Sequence, residues 1–432
     1  MLGPAESAVV PTSIREVTVA PSSYVPRFID RELVDAVASH PAVLVVGPRA
    51  CGKTTTARRS CRSALRLDVP AQATAVRADP DAALRDLSEP VLIEEWQVVP
   101  EILGAVERSV DEDSRPGRFV LTGSSQADLT ASGRPATGRI VRLVMFPLTG
   151  RERHGEAHAT PLVDRLFDEG LAALGQPVTG WDVRRYVEDA VVGGYPEATQ
   201  LAGDRARDRW LSGYLDHLVT REVPALGLHR DPVRLRRYVH VLAANSAGVP
   251  VHKLLYDAAG IERPTAVAYD DLLDMLFVTH RIPAWSGPAL ERGVRLPKRY
   301  VVDPGLMAAQ LRTDTRRVLR DGNLLGRVID TYVAAQFRAE CAVSAVGVDL
   351  FHLRDANGRR EVDLVLEARD GRVIGVEIKA GAAPSPADAR HLAWLRDRLG
   401  DRFTAGLVVH TGPRVFPVGE RISAVPIAAL WT

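Results

Sequence analysis

Three short apolar runs stand out in the first third of the chain. Ala42–Val46 is continuously apolar, and two similar runs span Pro90–Ile93 and Arg118–Leu121. Uninterrupted runs of this length are typical of strands buried on both faces, as in a parallel sheet. An amphipathic helix is predicted over Phe28–Ala38, and Pro41 separates it from the first strand. The pattern predicts an α/β fold with a parallel sheet.

Helical spacing replaces these runs in the middle of the chain. From Arg151 to about Glu222 the apolar residues recur at intervals of three and four, which predicts helices. The aromatic residues expected in the core of these helices are Trp181, Tyr186, Trp210 and Tyr214. Three further helices and two strands are predicted at Val233–Ala244, Val251–Ala258, Thr265–Met275, Phe277–His280 and Arg299–Val302. Helices followed by a hairpin are typical of a winged helix, which often docks on DNA.

An amphipathic helix and a hairpin are predicted near the C-terminus. Asn323–Glu340 has one apolar face, and the strands 361–368 and 372–379 flank a turn at Arg369–Gly371. With Gly371 at positive φ, a three-residue loop gives the hairpin one fully apolar face, through the pairs Val362 with Ile378, Leu364 with Val376 and Leu366 with Ile374. A two-residue turn would mix apolar and charged residues on each face, so the first register is predicted.

Composition and charge exclude several classes of protein. The chain is 46% hydrophobic and 25% charged, which is ordinary for a globular protein and excludes a disordered chain or a fibre. A net charge of +1 gives no global attraction to nucleic acid or membrane. The apolar runs are too short for a membrane helix, and the start of the chain does not resemble a signal peptide. Three cysteines do not make a disulfide framework, so we expect a cytoplasmic protein.

Lysine is rare in this chain. Of the 55 basic residues only four are lysine: Lys53, Lys253, Lys298 and Lys379. A compact ammonium on a flexible stem does what a guanidinium does not, so each lysine is worth inspection.

A phosphate-binding loop pattern follows the first predicted strand. The residues from Gly47 to Thr54 read Gly-Pro-Arg-Ala-Cys-Gly-Lys-Thr, and a polar helix is predicted from Thr55 to Arg62. The glycines let backbone N–H groups face phosphate oxygens, Lys53 reaches the β- and γ-phosphates, and the Thr54 hydroxyl ligates Mg²⁺. ATP and Mg²⁺ are the predicted cofactors, and the predicted binding residues are Gly47, Pro48, Arg49, Ala50, Cys51, Gly52, Lys53, Thr54 and Thr55. A weaker hypothesis makes Cys51 redox-sensitive.

Two carboxylates end the second predicted strand. Glu94 is predicted to help hold Mg²⁺ through water, and Glu95 to polarise the water that attacks the nucleotide. Aspartate is usual at the first of these positions, and the extra methylene of Glu94 is expected to shift the metal and slow turnover. The alternative is a solvated acidic strand end.

Small polar residues end the third predicted strand, and an arginine follows later. Thr122 and Ser124 are predicted to sense the γ-phosphate, because ligands of open α/β sheets bind at the carboxyl edge; a plain turn is the alternative. Arg139, after Gly138, is predicted as an arginine finger toward a neighbouring subunit of a homo-oligomer. A plain surface arginine is the alternative.

The order of these motifs matches a known family. Besides the phosphate-binding loop, the motifs are Tyr24–Arg27, Ile93–Gln97, Leu121–Ser125, Gly138–Arg139, Pro147–Thr149, Gly193–Glu197, Pro297–Tyr300, Asp303–Leu306 and Glu361–Asp363. The series resembles the prokaryotic AAA-type ATPases that carry a C-terminal domain of unknown function with a nuclease-like core. The resemblance covers about residues 24–380, and it implies a P-loop ATPase core followed by a helical lid. Glu94 departs from the family pattern.

A second candidate site lies on the predicted hairpin. Its register places Asp363 opposite Glu377, with Lys379 on the same face. Asp363 and Glu377 are predicted Mg²⁺ ligands, Lys379 is predicted to orient or activate water, and Asp330 to add a carboxylate. The arrangement resembles the restriction-endonuclease-like PD-(D/E)xK fold, with Val362 in place of the usual proline. The alternative is a charged outer face with a Glu–Lys pair.

The third helix of the winged-helix-like segment carries Asp270, Asp271 and Asp274. Acidic faces repel phosphate, so a protein partner is favoured there over nucleic acid. Lys298, in the same segment, is interpreted as structural.

Two functions remain open from the sequence. The first is a Mg²⁺-dependent ATP-binding protein and ATPase coupled to a C-terminal nuclease-like domain that acts on DNA or RNA. The second is an ATP-dependent switch whose C-terminal domain recognises a protein or RNA without cleaving it. The predicted segments are a loosely ordered lead-in (1–23), an ATPase core (24–150), a helical lid (151–225), a winged-helix-like domain (226–312) and a nuclease-like α/β domain (313–432).

Overall fold

The computed structural model describes residues 24–124, 138–175, 177, 179–225, 230–286, 296–355 and 359–432. The predicted lead-in over 1–23 and Ser125 lie outside the described residues. The first sheet consists of β1 (Ala42–Val46), β2 (Ser63–Arg66), β3 (Val91–Glu94), β4 (Phe119–Gly123) and β5 (Ile140–Val144). Its helices are α1 (Ile29–Ser39), α2 (Lys53–Arg58), α3 (Pro70–Ala78), α4 (Pro80–Leu84) and α5 (Ile102–Glu112).

All neighbouring strands of this sheet are parallel, in the order β2-β3-β4-β1-β5. The strands β1, β3 and β4 are buried along their whole length, as their apolar runs predicted. The parallel α/β prediction is confirmed. Because β1 lies between β4 and β5, the loop at its carboxyl end meets the ends of β3 and β4 at one edge of the sheet. Helix α2 both begins and ends earlier than predicted.

A helical region follows the sheet. It comprises α6 (Gly150–His154), α7 (Leu162–Glu169), α8 (Val183–Val192), α9 (Pro196–Gln200), α10 (Asp204–His217), a π-helical turn (Leu218–Glu222) and α11 (Val223–Ala225). Trp181, Tyr186 and Tyr214 are buried, and the partly exposed Trp210 stacks on Tyr214 with 5.7 Å between the ring centroids. The predicted aromatic core is confirmed for three of the four residues.

Three helices and a hairpin come next, in the predicted order. They are α12 (Pro232–Ala244), α13 (His252–Ala259), α14 (Arg263–Met275), β6 (Thr279–Ile282) and β7 (Lys298–Val301), and the two strands are antiparallel.

The acidic residues of α14 do not form the solvent-facing acidic surface expected from the sequence. Asp270 is 1% exposed and accepts hydrogen bonds of 2.7 Å from both terminal nitrogens of Arg299 on β7. Arg281 on β6 pairs with Asp271 at 3.0 Å and also with Asp274. The hairpin arginines therefore pair with all three carboxylates, and only Asp271 stays largely exposed, so the acidic surface is smaller than expected. A protein partner at this surface remains a prediction.

The C-terminal part contains a second sheet. Its helices are α15 (Pro304–Gln310), α16 (Thr315–Arg320), α17 (Gly322–Cys341) and α18 (Arg390–Leu399). Its strands are β8 (Val348–Arg354), β9 (Glu361–Ala368), β10 (Val373–Ile378), β11 (Phe403–His410), β12 (Phe416–Gly419) and β13 (Ile422–Pro426), in the order β12-β13-β11-β10-β9-β8.

The hairpin β9–β10 has the predicted register. Leu366 pairs with Ile374 and Leu364 with Val376, and both pairs are fully buried. Beyond Leu364 the ladder is replaced by a side chain, since the carboxylate of Asp363 accepts the backbone N–H of Ile378. The charged end of the hairpin is thus fixed by Asp363 itself.

One buried apolar cluster extends from α7 through the middle helices to the C-terminal sheet and the final residues. The helical region, the three-helix unit and the C-terminal sheet therefore share a core. Within the described ranges, every helix is too short or too polar to cross a bilayer.

Candidate functional sites

The phosphate-binding loop requires glycine at two positions. A Cβ at Gly47 would lie 2.0 Å from the carbonyl oxygen of Met145, which no side chain permits. Gly52 has φ of 103°, a conformation that favours glycine. Between them the Cys51 thiol is buried and lies 3.6 Å from the same Met145 oxygen, so solvent oxidants do not reach it in this state.

Lys53 is held inside the loop at the start of α2. Its side chain is buried, and Nζ donates to the carbonyl oxygens of Gly47 at 3.0 Å and Pro48 at 2.7 Å. Of the two residues that follow, Thr54 is partly buried and Thr55 is exposed. Among the described residues, both hydrogen-bond acceptors of the ammonium are neutral carbonyl oxygens of the loop itself.

Arg27 supports the loop from behind, a role that the sequence did not assign. It is 3% exposed and donates to the carbonyl oxygen of Cys51 at 2.8 Å, while its Nε donates to Glu152 at 2.9 Å. Tyr24, in the same motif, lies 3.0 Å from the Thr56 hydroxyl on α2. The Tyr24–Arg27 segment was visible as a motif, but only the structure links it to the loop.

Glu94 lies at the end of β3, beside Thr122 on β4. Its carboxylate is buried and pairs with Arg58 on α2, and a second arginine, Arg66, lies 3.7 Å away. These arginines were also missed, because their spacing from Glu94 carries no recognisable pattern. The acidic strand end is not simply solvated.

Glu95 is next to Glu94 but adopts a different backbone conformation. Its φ of 54° is unusual for a residue with a side chain, and such strain is common at functional positions. Gln97 donates to Glu95 Oε2 at 2.5 Å, and the Ser124 hydroxyl donates to the same oxygen at 3.3 Å. Two of the predicted residues, Glu95 and Ser124, are thus brought together at the sheet edge.

Thr122 and Arg139 have contrasting positions. The Thr122 hydroxyl is buried and has no hydrogen-bond partner within the described residues. Arg139 precedes β5, whose parallel pairing with β1 puts it at the amino edge of the sheet, opposite the loop. It pairs there with Asp111 at 2.6 Å. Arg139 therefore does not bind nucleotide in its own chain, and the predicted action on a neighbouring subunit remains a prediction.

Arg49 connects the loop to the helical region. Its guanidinium donates to Glu222, the last residue of the π-helical turn after α10, and His217 lies 3.4 Å from the same carboxylate oxygen. The other loop position named in the sequence, Ala50, has φ of 57°.

A buried lysine joins three elements in the C-terminal part. Lys298 on β7 is 2% exposed, and its Nζ lies 2.8 Å from Asp330 Oδ2 on α17 and 2.8 Å from Asp363 Oδ1 on β9. The Tyr300 hydroxyl donates to the other Asp330 oxygen at 2.8 Å. The amide of Ile378 donates to the other Asp363 oxygen at 2.9 Å.

Charge pairing sets the protonation of this cluster. Burial alone would lower the pKa of Lys298, but Asp330 and Asp363 raise it well above its ordinary value. Burial likewise opposes ionisation of Asp363, yet Lys298 lowers the pKa of Asp363 below its ordinary value. Burial raises the pKa of Asp330 to about 6 even with Lys298 adjacent.

Glu377 and Lys379 lie next to this cluster, as the hairpin register predicted. Lys379 Nζ is 2.7 Å from Glu377 Oε1, and the second oxygen of Glu377 is buried without a hydrogen-bond partner in the described part of the chain. Burial and the nearby charge of Asp363 raise the pKa of Glu377 to about 8.

The predicted Mg²⁺ ligands Asp330, Asp363 and Glu377 are not grouped as a three-ligand metal site among the described residues. Over the described ranges, no group of three or more His, Cys, Asp or Glu side chains is placed to hold a metal ion. Two of them, Asp330 and Asp363, are instead bridged by the ammonium of Lys298. Apart from the rarity of lysine, no feature of the sequence indicates this contact.

Comparison with known proteins assigns a family model to the segment that contains the first of the two sites. Residues 39–154 match the model of an AAA domain, and residues 183–317 and 325–430 match two domains of unknown function, DUF8612 and DUF4143. The uncharacterized proteins Rv2008c of Mycobacterium tuberculosis and Mb2031c of Mycobacterium bovis are each 28% identical over 398 residues, which cover 91% of this chain and 81% of theirs. The Walker-type ATPase PABY2304 of Pyrococcus abyssi is similar at 16% identity and a TM-score of 0.40, over 65% of this chain and 94% of that chain.

The AAA match and the parallel sheet cover the same residues. That segment contains the loop after β1, the strand end with Glu94 and Glu95, the buried Thr122 of β4, and the buried Ser124 just after β4. The chain therefore carries an AAA-type P-loop ATPase domain, joined to two regions that match domains of unknown function.

Proposed function

We propose that this protein is an ATP-hydrolysing switch. It binds Mg·ATP at the loop between β1 and α2, hydrolyses the nucleotide with the help of Glu95, and passes the change to a C-terminal module that recognises a protein or RNA partner without cleaving it. The observation that carries the proposal is the position of Glu95, which Gln97 and Ser124 hold at the same sheet edge as the loop.

The residues at this edge fit a magnesium nucleotide. The Thr54 hydroxyl and the Glu94 carboxylate are oxygen donors of the kind that Mg²⁺ takes, and Arg58 would release Glu94 on binding. The buried Thr122 hydroxyl, which has no partner within the described residues, is free to donate to a phosphate oxygen. When bound, Mg²⁺ neutralises charge on the β- and γ-phosphates.

Lys53 is poised to exchange partners. Its ammonium donates to two neutral carbonyl oxygens, and hydrogen bonds between two charged groups are about twice as strong as neutral ones. A phosphate oxygen therefore replaces a carbonyl oxygen with a net gain. Because Gly47 and Gly52 have no side chain, the backbone is able to approach the same phosphates closely.

Glu95 orients the attacking water. A carboxylate fixed by two hydrogen bonds loses little freedom when it accepts a proton or hydrogen bond from water. Arg49 then couples the chemistry to the helical region through Glu222, because a γ-phosphate near the loop competes with Glu222 for the guanidinium.

Two substitutions test the ATPase. Lys53→Ala is expected to abolish Mg·ATP binding in calorimetry, while Lys253→Ala, at an exposed lysine paired with Asp257, is expected to bind normally. Glu95→Gln is expected to bind Mg·ATP and to lose about 10²- to 10⁴-fold in phosphate release. Glu101→Gln, at an exposed glutamate nearby, is the control. Normal turnover by Glu95→Gln would contradict the assignment.

The second candidate, a C-terminal nuclease, is favoured by one observation: Glu377 and Lys379 meet beside Asp363 as such a site requires. Cleavage assays on plasmid DNA and RNA with Mg²⁺ or Mn²⁺, with and without ATP, distinguish the switch from the nuclease. The switch predicts the same background level for the wild type and Lys379→Ala. Cleavage that Lys379→Ala removes would establish the nuclease instead.

A further inference from the structure

The cluster of Lys298, Asp330 and Asp363 already contains a cation, which is the ammonium of Lys298. Lys298 belongs to the hairpin of the three-helix unit, whereas Asp330 and Asp363 belong to α17 and β9. The lysine lies 32 residues from Asp330 and 65 residues from Asp363 along the chain, yet it is 2.8 Å from both. Three separate elements therefore converge on one ammonium.

The oxygens of the two aspartates are fully engaged. One oxygen of each contacts Lys298, and the remaining two accept hydrogen bonds from Tyr300 and from the amide of Ile378. A Mg²⁺ ion sits about 2.1 Å from its oxygen ligands. An ion that bridged Asp330 and Asp363 would occupy the space of the ammonium, so the two cations exclude each other.

The choice of side chain supports this role. Lysine supplies only four of the 55 basic residues of the chain, and one of the four stands at this position. A lysine ammonium is a compact charge with three donors, whereas arginine presents a broad planar fork. An ammonium group resembles a metal ion in being small and positively charged, so it fits between two converging carboxylates.

A further carboxylate remains beside the pair. Glu377 is 7% exposed, one of its oxygens bonds Lys379, and the other is buried without a partner in the described residues. If the ammonium were absent, no cation would remain on Asp330 and Asp363, and their carboxylates are the hard oxygen donors that divalent cations prefer, whereas Glu377 keeps its own partner, Lys379.

We propose that Lys298 is the resident cation of the Asp330–Asp363 pair, in the place of a divalent metal. The wild-type pair is therefore closed to metal, and loss of the ammonium opens Asp330 and Asp363 to a divalent cation. The hairpin that carries Lys298 is at the same time fastened to the C-terminal sheet. This inference does not depend on the ATPase activity.

Binding of Mn²⁺ to the full, nucleotide-free chain tests the proposal, with the loss of the free-ion electron paramagnetic resonance signal as the readout. Lys298→Met is expected to gain one Mn²⁺ per chain relative to the wild type. The control Lys253→Met is expected to match the wild type. The added site is expected to disappear in Lys298→Met with Asp363→Asn, which separates it from any Mn²⁺ held near the phosphate-binding loop.

Two results would overturn the proposal. The first is a folded Lys298→Met chain, judged by circular dichroism, that binds no more Mn²⁺ than the wild type. The second is an Mn²⁺ ion in the wild type that Asp363→Asn removes. If Lys298→Met does not fold, the melting temperatures of the wild type and Asp363→Asn decide, each measured once in Mn²⁺ and once in chelator. The proposal requires that Mn²⁺ shifts the melting temperature of the wild type no more than that of Asp363→Asn. A larger shift in the wild type overturns it.

Discussion

Both candidate sites are built around a buried lysine, but the partners of the two lysines differ in charge. Lys53 donates to two backbone carbonyl oxygens of its own loop. Lys298 donates to two carboxylates from distant parts of the chain. The two side chains are 5% and 2% exposed, so burial alone does not distinguish them.

The charge of the partners determines whether a site is open to a ligand. When a carbonyl oxygen loses its hydrogen bond to a lysine, the free-energy cost is about 1 kcal/mol, and the new hydrogen bond from the lysine to a phosphate offsets it. Two buried carboxylates that lose their lysine are left as uncompensated charges, at several kcal/mol. The loop lysine is therefore free to move to a ligand, whereas the C-terminal lysine is part of the folded structure.

The stability of the two lysine variants tests this contrast most strongly. We expect Lys298→Met to lower the free energy of unfolding by about 3 to 5 kcal/mol, because it leaves Asp330 and Asp363 buried and unpaired. Lys53→Met is expected to cost about 1 kcal/mol. Urea unfolding without divalent cations measures both.

The double variant Lys298→Met with Asp363→Asn provides the control, since it removes one of the two unpaired charges and should recover part of the loss. Equal costs for the two single variants would remove the distinction between the sites.

The attachment of the hairpin at Lys298 is expected to depend on pH through His352 on β8. His352 is 1% exposed and contacts the carbonyl oxygen of Leu296, two residues before Lys298, at 2.9 Å. Burial, together with the charges of Lys298 and Arg354, lowers the pKa of His352 to about 4. The unfolded state then binds more protons than the folded state between about pH 4 and 6.5, so stability falls as the pH falls through that range.

The magnitude of this effect is about 3 kcal/mol between neutral pH and about pH 4. Urea unfolding at both pH values should show a smaller loss for His352→Gln than for the wild type, and an unaltered loss for His158→Gln at an exposed position. If His352→Gln loses as much stability on acidification as the wild type, His352 is not responsible.

The two sites also differ in how much of them the sequence predicts. The loop, β1 and the carboxylates after β3 form a local pattern, in which chemistry and secondary structure share a few neighbouring residues. The hairpin register was predictable for the same reason, because loop length and alternation fix it locally. The partners of Lys298 lie on two other elements, and no spacing in the sequence indicates that they meet.

The acidic residues of α14 also show that the sequence does not reveal tertiary contacts. Counting Asp270, Asp271 and Asp274 predicted a surface charge, but Asp270 points into the fold toward Arg299. A residue type shows which charge is present, whereas the tertiary contacts determine whether solvent or a partner meets that charge.

A smaller effect is expected at the ATPase site from Ser124. Its hydroxyl lies between Gln97 at 3.1 Å and Glu95 at 3.3 Å. Ser124→Ala removes one hydrogen bond from Glu95, worth about 1 kcal/mol, and should lower ATP turnover about fivefold with little change in ATP affinity. Steady-state phosphate release measures the effect, with Ser88→Ala at an exposed position as the control. A raised KM at unchanged kcat would place Ser124 in binding instead.

The smallest expected effect concerns Arg58, which pairs with Glu94 as Lys298 pairs with Asp363. Both pair with a carboxylate that was assigned to Mg²⁺, but the Arg58 side chain is 24% exposed and has one such partner, whereas Lys298 is buried between two. A partly exposed ion pair contributes about 0.2 to 1 kcal/mol, so the metal displaces Arg58 at low cost.

We therefore expect Arg58→Ala to lower the Mg²⁺ concentration needed for half-maximal ATPase activity by about twofold to fivefold, because the metal no longer competes with the guanidinium for Glu94. Titration of Mg²⁺ at saturating ATP measures this, and Arg62→Ala, at an exposed arginine just beyond α2, should leave it unchanged. A higher Mg²⁺ requirement in Arg58→Ala would mean that Arg58 positions Glu94 for the metal. In that case the presence of a basic partner on a carboxylate would not by itself show that a site is closed to metal. Closed and open sites would then differ only in how many carboxylates the basic residue contacts and in how deeply it is buried.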